Sequence, residues 1–89
     1  MCRNIRVLHN FAPPTTAEEI AAAALQYVRK VSGAVRPSQA NQPAFDQAVA
    51  AVTAATTTLL ANLEARGTPR TRDGELAKAR ARWQRRTEG

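Results

Sequence analysis

Apolar residues recur at helical spacing in the first predicted helix, which covers about 17–32. Thr16 and Glu19 have the spacing of a capping box, which marks a helix start. Gly33 supplies the left-handed residue at which many helices end. The pattern therefore predicts a helix with defined ends and one face turned toward a core. The apolar residues that share this face are Ile20, Ala24, Tyr27, Val28 and Val31.

The strongest periodic signal predicts a second, longer helix at about 43–66. Its apolar positions follow the four-and-three spacing of a heptad seam. Pro43 stands in the first turn, where proline is tolerated, and Gly67 and Pro69 end the pattern. Two compatible interpretations follow: the seam is the central core of a small bundle, or it joins two copies of the chain in a homodimer. The seam residues are Phe45, Val49, Val52, Thr56, Leu59 and Leu63.

A third helix is predicted at about 74–87, with Asp73 as its N-terminal cap. Its cations and its apolar residues fall on opposite sides of the helical wheel. We expect the apolar face to anchor the helix on the bundle and the basic face to meet solvent or a partner. The apolar face carries Leu76, Ala79 and Trp83, and the basic face carries Lys78, Arg82, Arg85 and Arg86.

Residues 1–15 precede the first helix and form an arm. Two consecutive prolines near its end favour extended backbone, since proline fixes φ and restrains the residue before it. We expect Ile5, Leu8 and Phe11 to dock the arm on the helices. The predicted fold class is therefore all-α: a small three-helix bundle in a single domain, 1–89, with an N-terminal extended arm and a long central helix.

Composition limits how large the core can be. A chain of 89 residues is one domain, and 19 of its apolar residues are alanine, which favours helix but buries little area. A homodimer with a shared core would compensate for this. The single cysteine indicates a reducing compartment, and no run of about 18 consecutive apolar residues is present. We therefore expect a cytoplasmic protein without a membrane partner.

Positive charge is concentrated in the last quarter of the chain. The formal net charge is +6, and residues 66–89 carry eight Lys/Arg against three Asp/Glu. Arginine makes bidentate contacts with phosphate, and aromatic residues for base stacking are nearly absent here. These features predict salt-sensitive binding to an RNA backbone, or alternatively a solvated basic tail. The candidate nucleic-acid-binding residues are Arg66, Arg70, Arg72, Lys78, Arg82, Arg85 and Arg86.

The sequence has no recognisable catalytic constellation. It has one histidine, one cysteine and no glycine-rich phosphate loop of recognised spacing. Zinc needs about four ligands, so Cys2 and His9 would form a metal site only with a second chain. Cys2 next to Arg3 is also a candidate redox thiol. The alternative is a buried cysteine and a polar loop histidine, and we expect neither enzymatic activity nor a cofactor.

Several stretches of the sequence suggest a family. They are the opening Met-Cys-Arg-Asn-Ile, the run Asn-Phe-Ala-Pro-Pro-Thr-Thr-Ala-Glu-Glu-Ile, and the run Tyr-Val-Arg-Lys-Val-Ser-Gly. Over essentially its whole length the chain resembles a family of short uncharacterised bacterial proteins, frequent in actinobacteria, that carry a domain-of-unknown-function label. The resemblance implies a free-standing small protein and supplies no activity, cofactor or catalytic set. Ala12 stands where that family has glutamate, so this position is a poor candidate for an acidic functional residue.

The leading hypothesis is a non-enzymatic, small basic accessory protein that binds RNA or the ribosome through its Arg-rich C-terminal helix. One alternative is a protein-interaction module or homodimer that uses the apolar seam of the second helix. Another is a metal- or redox-responsive regulator that uses Cys2 and His9. The three hypotheses use different surfaces, so the fold bears on each of them separately.

Overall fold

The computed structural model describes the backbone of residues 5–88 and the side chains of residues 5–85. Within this part of the chain there are three helices and no strand: α1 (Ala17–Ser32), α2 (Gln42–Asn62) and α3 (Arg72–Glu88). α1 and α2 pack against each other. The predicted all-α class, with an N-terminal arm and a long second helix, is confirmed.

The ends of α1 are set by local hydrogen bonds. The Thr16 hydroxyl accepts from the Glu19 backbone N–H at 3.2 Å, and the Thr16 N–H donates to Glu19 Oε1 at 2.9 Å. At the other end Gly33 has φ 71°, and its N–H donates to the Arg29 carbonyl at 3.0 Å. Both predicted caps are therefore confirmed, because each depends on residues a few positions apart.

The fully buried part of the described chain is confined to one stripe of α1. Ile20, Ala24 and Val28 are buried there, as predicted. Tyr27 and Val31, predicted on the same face, are 47% and 65% exposed, so that part of the prediction is wrong. One packed helix covers only part of an apolar stripe this wide, and the edge and the last turn stay open to solvent.

The heptad seam of α2 holds its register for only part of the predicted length. Leu59 is 55% exposed, whereas the next residue, Leu60, is half-buried and lines a groove with α1 and the arm. An α-helix drifts by about 20° per heptad from an exact seven-residue repeat, so a strict seam leaves the interface. The seam residues that are half-buried are Phe45, Val49, Val52 and Thr56.

α2 ends at Asn62, four residues before the predicted end near 66. Leu63 is extended, with ψ 136°, and remains 44% exposed. Two carbonyl groups of the segment that follows α2 are bound by the arm. His9 Nε2 lies 3.2 Å from the Glu64 carbonyl, and Asn10 donates its side-chain N–H to the Arg66 carbonyl at 3.1 Å.

α2 is long and apolar enough to cross a membrane when judged by length and composition alone. Its most apolar window of 18 residues has a mean hydropathy of 1.2, and alanine supplies much of that value. No residue from Gln47 to Leu63 carries a charge. One face of the helix packs on α1, so the same composition also serves a helix pair in water. Length and composition are therefore a weak indication of a membrane segment.

α3 begins at Arg72, two residues before the predicted start. The Thr71 hydroxyl accepts from the Gly74 N–H at 2.9 Å, and the Thr71 carbonyl accepts from the Glu75 N–H at 3.0 Å. Thr71 is thus the cap, and the prediction of Asp73 is wrong. Threonine and aspartate are both good caps, and the one that precedes the first hydrogen-bonded turn is decided by the chain outside the helix.

α3 does not pack against α1 or α2 within the described residues. Leu76 is 43% exposed and Trp83 is 64% exposed, although Ala79 is half-buried. The prediction that this apolar face anchors the helix on the bundle is therefore wrong. The helix starts where the arm holds the chain, and from there it projects away from the helix pair.

Candidate nucleic-acid interface and the arm latch

The arm is fastened to the segment that connects α2 with α3. The Arg70 N–H donates to the Asn10 carbonyl at 2.7 Å, and the Ala12 N–H donates to the Arg70 carbonyl at 2.9 Å. Phe11 and Arg70 thereby form a single parallel bridge. Asn10 has φ 60°, a conformation that asparagine tolerates better than most residues, and this turns the chain into the bridge. As predicted, Phe11 is half-buried.

Arg72 joins the arm, α1 and α3 through one guanidinium group. Its Nη2 and Nε donate to the two carboxylate oxygens of Glu19, at 2.6 Å and 3.1 Å. Its Nη1 donates to the Pro13 carbonyl at 2.8 Å and Nη2 to the Pro14 carbonyl at 3.2 Å. The guanidinium carbon also lies 5.4 Å from the centre of the Phe11 ring, within cation–π range. Planar, five-donor geometry suits this site and a lysine would not reproduce it.

Arg70 is held in the same region by its side chain. Its Nη1 donates to the His9 carbonyl at 2.7 Å, and its Nε lies 3.9 Å from Glu75 Oε1. We call the group of Arg70, Arg72, Glu19 and the arm residues 9–14 the arm latch. The contacts that join Arg70 and Arg72 to the arm and to Glu19 each span more than fifty residues of sequence.

The arm latch changes the acidity of Glu19. Its pKa falls from the ordinary 4.5 to about 2, first because Arg72 donates hydrogen bonds to the carboxylate and second because the Thr16 backbone N–H does so too. The same hydrogen bond with Glu19 raises the pKa of Arg72. The folded chain therefore stabilises the ionised form of the Glu19 carboxylate, and protonation of this carboxylate weakens the arm latch.

The predicted RNA-binding residues fall into two groups. Arg70 and Arg72 form the arm latch, and their donors face carbonyl and carboxylate oxygens of the chain itself, so their binding of nucleic acid stays a prediction. Lys78 is exposed and pairs with Glu75 Oε2 at 3.1 Å. The backbone of Arg86 lies in α3, but its side chain is outside the described side chains. The predicted residues that are exposed are Arg66, Lys78, Arg82 and Arg85.

Sequence reasoning missed Arg80, which is also exposed on α3. On a helical wheel Arg80 falls close to Leu76, on the side that the apolar pattern predicts to face the bundle. Since α3 packs on neither helix, all of its side chains at positions 80–85 are exposed, and a cation on any side of this part is available. Counting every cation of the segment, without assigning faces, would have included it.

The candidate metal ligands are only partly described. His9 is half-buried in the arm, and its Nε2 lies near the Glu64 carbonyl. The described side chains, those of residues 5–85, contain no cluster of three or more His, Cys, Asp or Glu able to hold a metal ion. Cys2 lies outside the described residues.

Two apolar grooves border the arm. The first has a volume of about 260 Å³ and lies between the arm, α1 and α2, and we call it the arm groove. Its walls include Leu8, Ala23, Tyr27 and Val52, with Arg6 also among the lining residues. The second, of about 430 Å³, lies on the other side of Leu8 and also borders the arm. Mostly aliphatic walls suit an apolar side chain better than a charged small substrate.

These features define a class of small all-α protein, in which an extended arm is latched beside a helix pair and a basic third helix stands apart. The chain belongs to the uncharacterized conserved protein family DUF2277, whose family model matches residues 1–78. Comparison with curated proteins and with solved structures finds no match. The matched region contains the whole arm latch and ends within α3, before Arg82 and Arg85.

Proposed function

We propose that this protein is a non-enzymatic accessory protein that binds RNA, free or in the ribosome, through α3. The observation that carries the proposal is that α3 packs on neither helix and exposes Lys78, Arg80, Arg82 and Arg85. Lys78 has Glu75 as a partner, whereas Arg80, Arg82 and Arg85 form no ion pair with another described residue. Guanidinium groups without an acidic partner are available for phosphate.

The shape of α3 suits contact with a phosphate backbone. A helix of 17 residues is about 25 Å long at 1.5 Å per residue, and its cations recur at intervals of one to three residues from Lys78 onward. Trp83 is the one aromatic residue in α3, so base stacking contributes little. The proposed contacts are therefore to phosphates and to RNA shape. The proposed surface consists of Arg66, Lys78, Arg80, Arg82 and Arg85.

We place this activity in the cytoplasm of a bacterium. A single cysteine fits a reducing compartment, and the opening Met-Cys-Arg-Asn-Ile resembles that of short bacterial proteins. The family match ends at residue 78, so most of the proposed surface lies beyond the matched region. RNA binding is accordingly proposed for this chain and is not extended to its family.

The proposal is tested by fluorescence anisotropy with a labelled stem–loop RNA over a series of salt concentrations. We expect log K to fall linearly with log salt, with a slope that reports the number of phosphates contacted. The charge-reversal variant R82E/R85E should reduce the magnitude of this slope by about 2 and weaken binding at low salt by at least ~10-fold.

The matched control is K30E/R36E, which makes the same change in net charge at the end of α1 and in the connection after it. Both residues are exposed, and neither lies near α3 in sequence. We expect this control to retain nearly the wild-type slope, with circular dichroism showing equal helix content in both variants. Equal losses in the two variants would mean that only net charge matters, and the proposal would then be wrong.

A further inference from the structure

The chain exposes more surface than a folded monomer of its mass usually does. Its accessible surface is 7126 Å², whereas a monomer of 9.6 kDa is expected to expose about 5,100 Å². Its radius of gyration is 15.7 Å, against about 12 Å for a compact chain of 89 residues. The excess of about 2,000 Å² exceeds the ~800 Å² per partner that a standard interface buries.

Two of the apolar surfaces that remain exposed in the described part of the chain complement each other. One is the exposed side of α3, where Leu76 and Trp83 lie two turns apart. The other is the arm groove, where Tyr27 is 47% exposed. An apolar cavity of about 150 Å³ accommodates benzene, so a groove of about 260 Å³ has room for an indole ring. Arg6 is also among its lining residues, and a guanidinium there can stack on the ring.

The contacts of the arm latch oppose a return of α3 to the groove of its own chain. α3 begins at Arg72, and this residue is held by Glu19 and by two carbonyl groups of the arm. A turn of α3 back onto α1 and α2 would have to break these contacts. A second copy of the chain faces no such restriction, and it brings both a projecting helix and an open groove.

We propose that two copies of the chain form a symmetric dimer by exchanging α3, with Trp83 of each copy seated in the arm groove of the other. The exchange satisfies both apolar surfaces twice, as a two-fold axis requires. Lys78 and Arg85 lie on the opposite side of α3 from Leu76, so they stay exposed in the dimer. The dimer stands whether or not α3 binds RNA, and W83S tests it without removing a cation.

The first measurement is sedimentation equilibrium combined with tryptophan emission from about 1 to 100 μM, a range that spans typical dimer affinities. Trp83 is the sole tryptophan, so its emission reports this site alone. We expect the mass to rise from 9.6 kDa toward twice that value and the emission to shift to the blue over the same range. A 9.6 kDa species at every concentration would overturn the proposal, whether its tryptophan is exposed or shielded.

Two variants and their mixture test which surfaces meet. W83S removes the ring, and A23E places a charge on the groove wall at a half-buried α1 position. Each alone should weaken dimerisation by at least ~100-fold, since both sites of the dimer are lost. In the mixture, the intact Trp83 of the A23E chain meets the intact groove of the W83S chain, so its emission should shift to the blue.

The control is A23E mixed with the double variant A23E/W83S, which offers no intact groove and should leave the emission unchanged. Circular dichroism on each variant shows whether the helix pair is folded. If the emission of A23E is unchanged by an excess of folded W83S, Trp83 does not enter the arm groove and the exchange is refuted. A dimer that survives both substitutions would refute it equally, because it would use another surface.

Discussion

Arg72 makes more long-range side-chain hydrogen bonds than any other described residue. Its guanidinium binds Glu19 of α1 and the carbonyls of Pro13 and Pro14, and it lies over Phe11. These partners are 53 to 59 residues away in the hydrogen-bonded pairs. A single side chain thus fastens the arm to the start of α3. The sequence predicts RNA binding for this residue because it belongs to a run of arginines.

Replacement of Arg72 by lysine should destabilise the fold although the charge is kept. Lysine has no planar fork, so it cannot bind both oxygens of Glu19 and the proline carbonyls together. We expect R72K to lower Tm by about 5 °C or more in thermal unfolding followed by circular dichroism. R82K, on the exposed part of α3, is the control and should keep the wild-type Tm; equal Tm values in both variants would show that the arm latch does not stabilise the chain.

The lowered pKa of Glu19 makes stability depend on pH. The pKa is 4.5 in an ordinary environment and about 2 in the folded chain, so between these values the unfolded chain binds more protons. The stabilisation is therefore complete above about 4.5 and is lost as the pH falls toward 2. We expect wild-type protein to lose Tm over this window more steeply than E19Q does. E18Q, at the exposed neighbouring position, is the control and should show the same dependence of Tm on pH as the wild type. If E19Q also shows the wild-type dependence, Glu19 is not the source of the loss of stability.

At the scale of the elements, caps decide where helices begin. α1 has a complete capping box, and its start is the one predicted. α3 uses Thr71, and the residue at its third helical position is Gly74, which has no side chain to meet the cap. A Cβ at Gly74 would lie 2.8 Å from Thr71 Oγ1, so the glycine leaves room for the hydroxyl. The start of α3 therefore depends on this pair.

Loss of the Thr71 hydroxyl should weaken the first turns of α3. A missing N-cap costs about 1 kcal/mol, which corresponds to about fivefold less protection in amide hydrogen exchange. We expect T71A to show this loss at the amides of residues 75–79. D73A removes only a favourable charge near the helix dipole and should change protection by less than about twofold. A larger loss of protection in D73A than in T71A would show that Asp73 is the cap.

At the scale of the whole molecule, the chain consists of a latched arm and helix pair with α3 attached at one end. α1 and α2 pack together, and α3 packs on neither within the described residues. The family match covers the first part and ends inside α3. Stability of the helix pair should therefore be largely independent of the distal half of α3, whereas proposed partner binding depends on it.

Truncation after Lys78 tests this independence. The shortened chain keeps Arg70, Arg72 and the cap at Thr71, so the arm latch is intact. At concentrations of about 1 μM we expect its Tm to lie within about 2 °C of wild type, with lower total helix content and no RNA binding. Truncation after Pro69 removes both arginines and should lower Tm clearly. If the two truncations are equally destabilised, the distal part of α3 supports the fold.

The sequence by itself determined the features that depend on neighbouring residues. The ends of α1 follow from Thr16, Glu19 and Gly33, whose hydrogen bonds span three or four positions. The all-α class and the buried stripe at Ile20 and Val28 follow from helical periodicity, which is a local property of the chain. These features need no knowledge of what lies beyond the helix.

Tertiary structure alone decided how the arginines are used and where α3 lies. Arg72 and Arg82 belong to the same basic run, yet one is bound to Glu19 and the other is exposed. The sequence predicts that the apolar side of α3 faces the core, whereas this side is exposed. Amphipathic spacing is the same whether the surface that covers it lies in the same chain or in another. Contacts such as that between Arg72 and Glu19 join positions 53 residues apart and leave no periodic pattern, so only the folded chain reveals them.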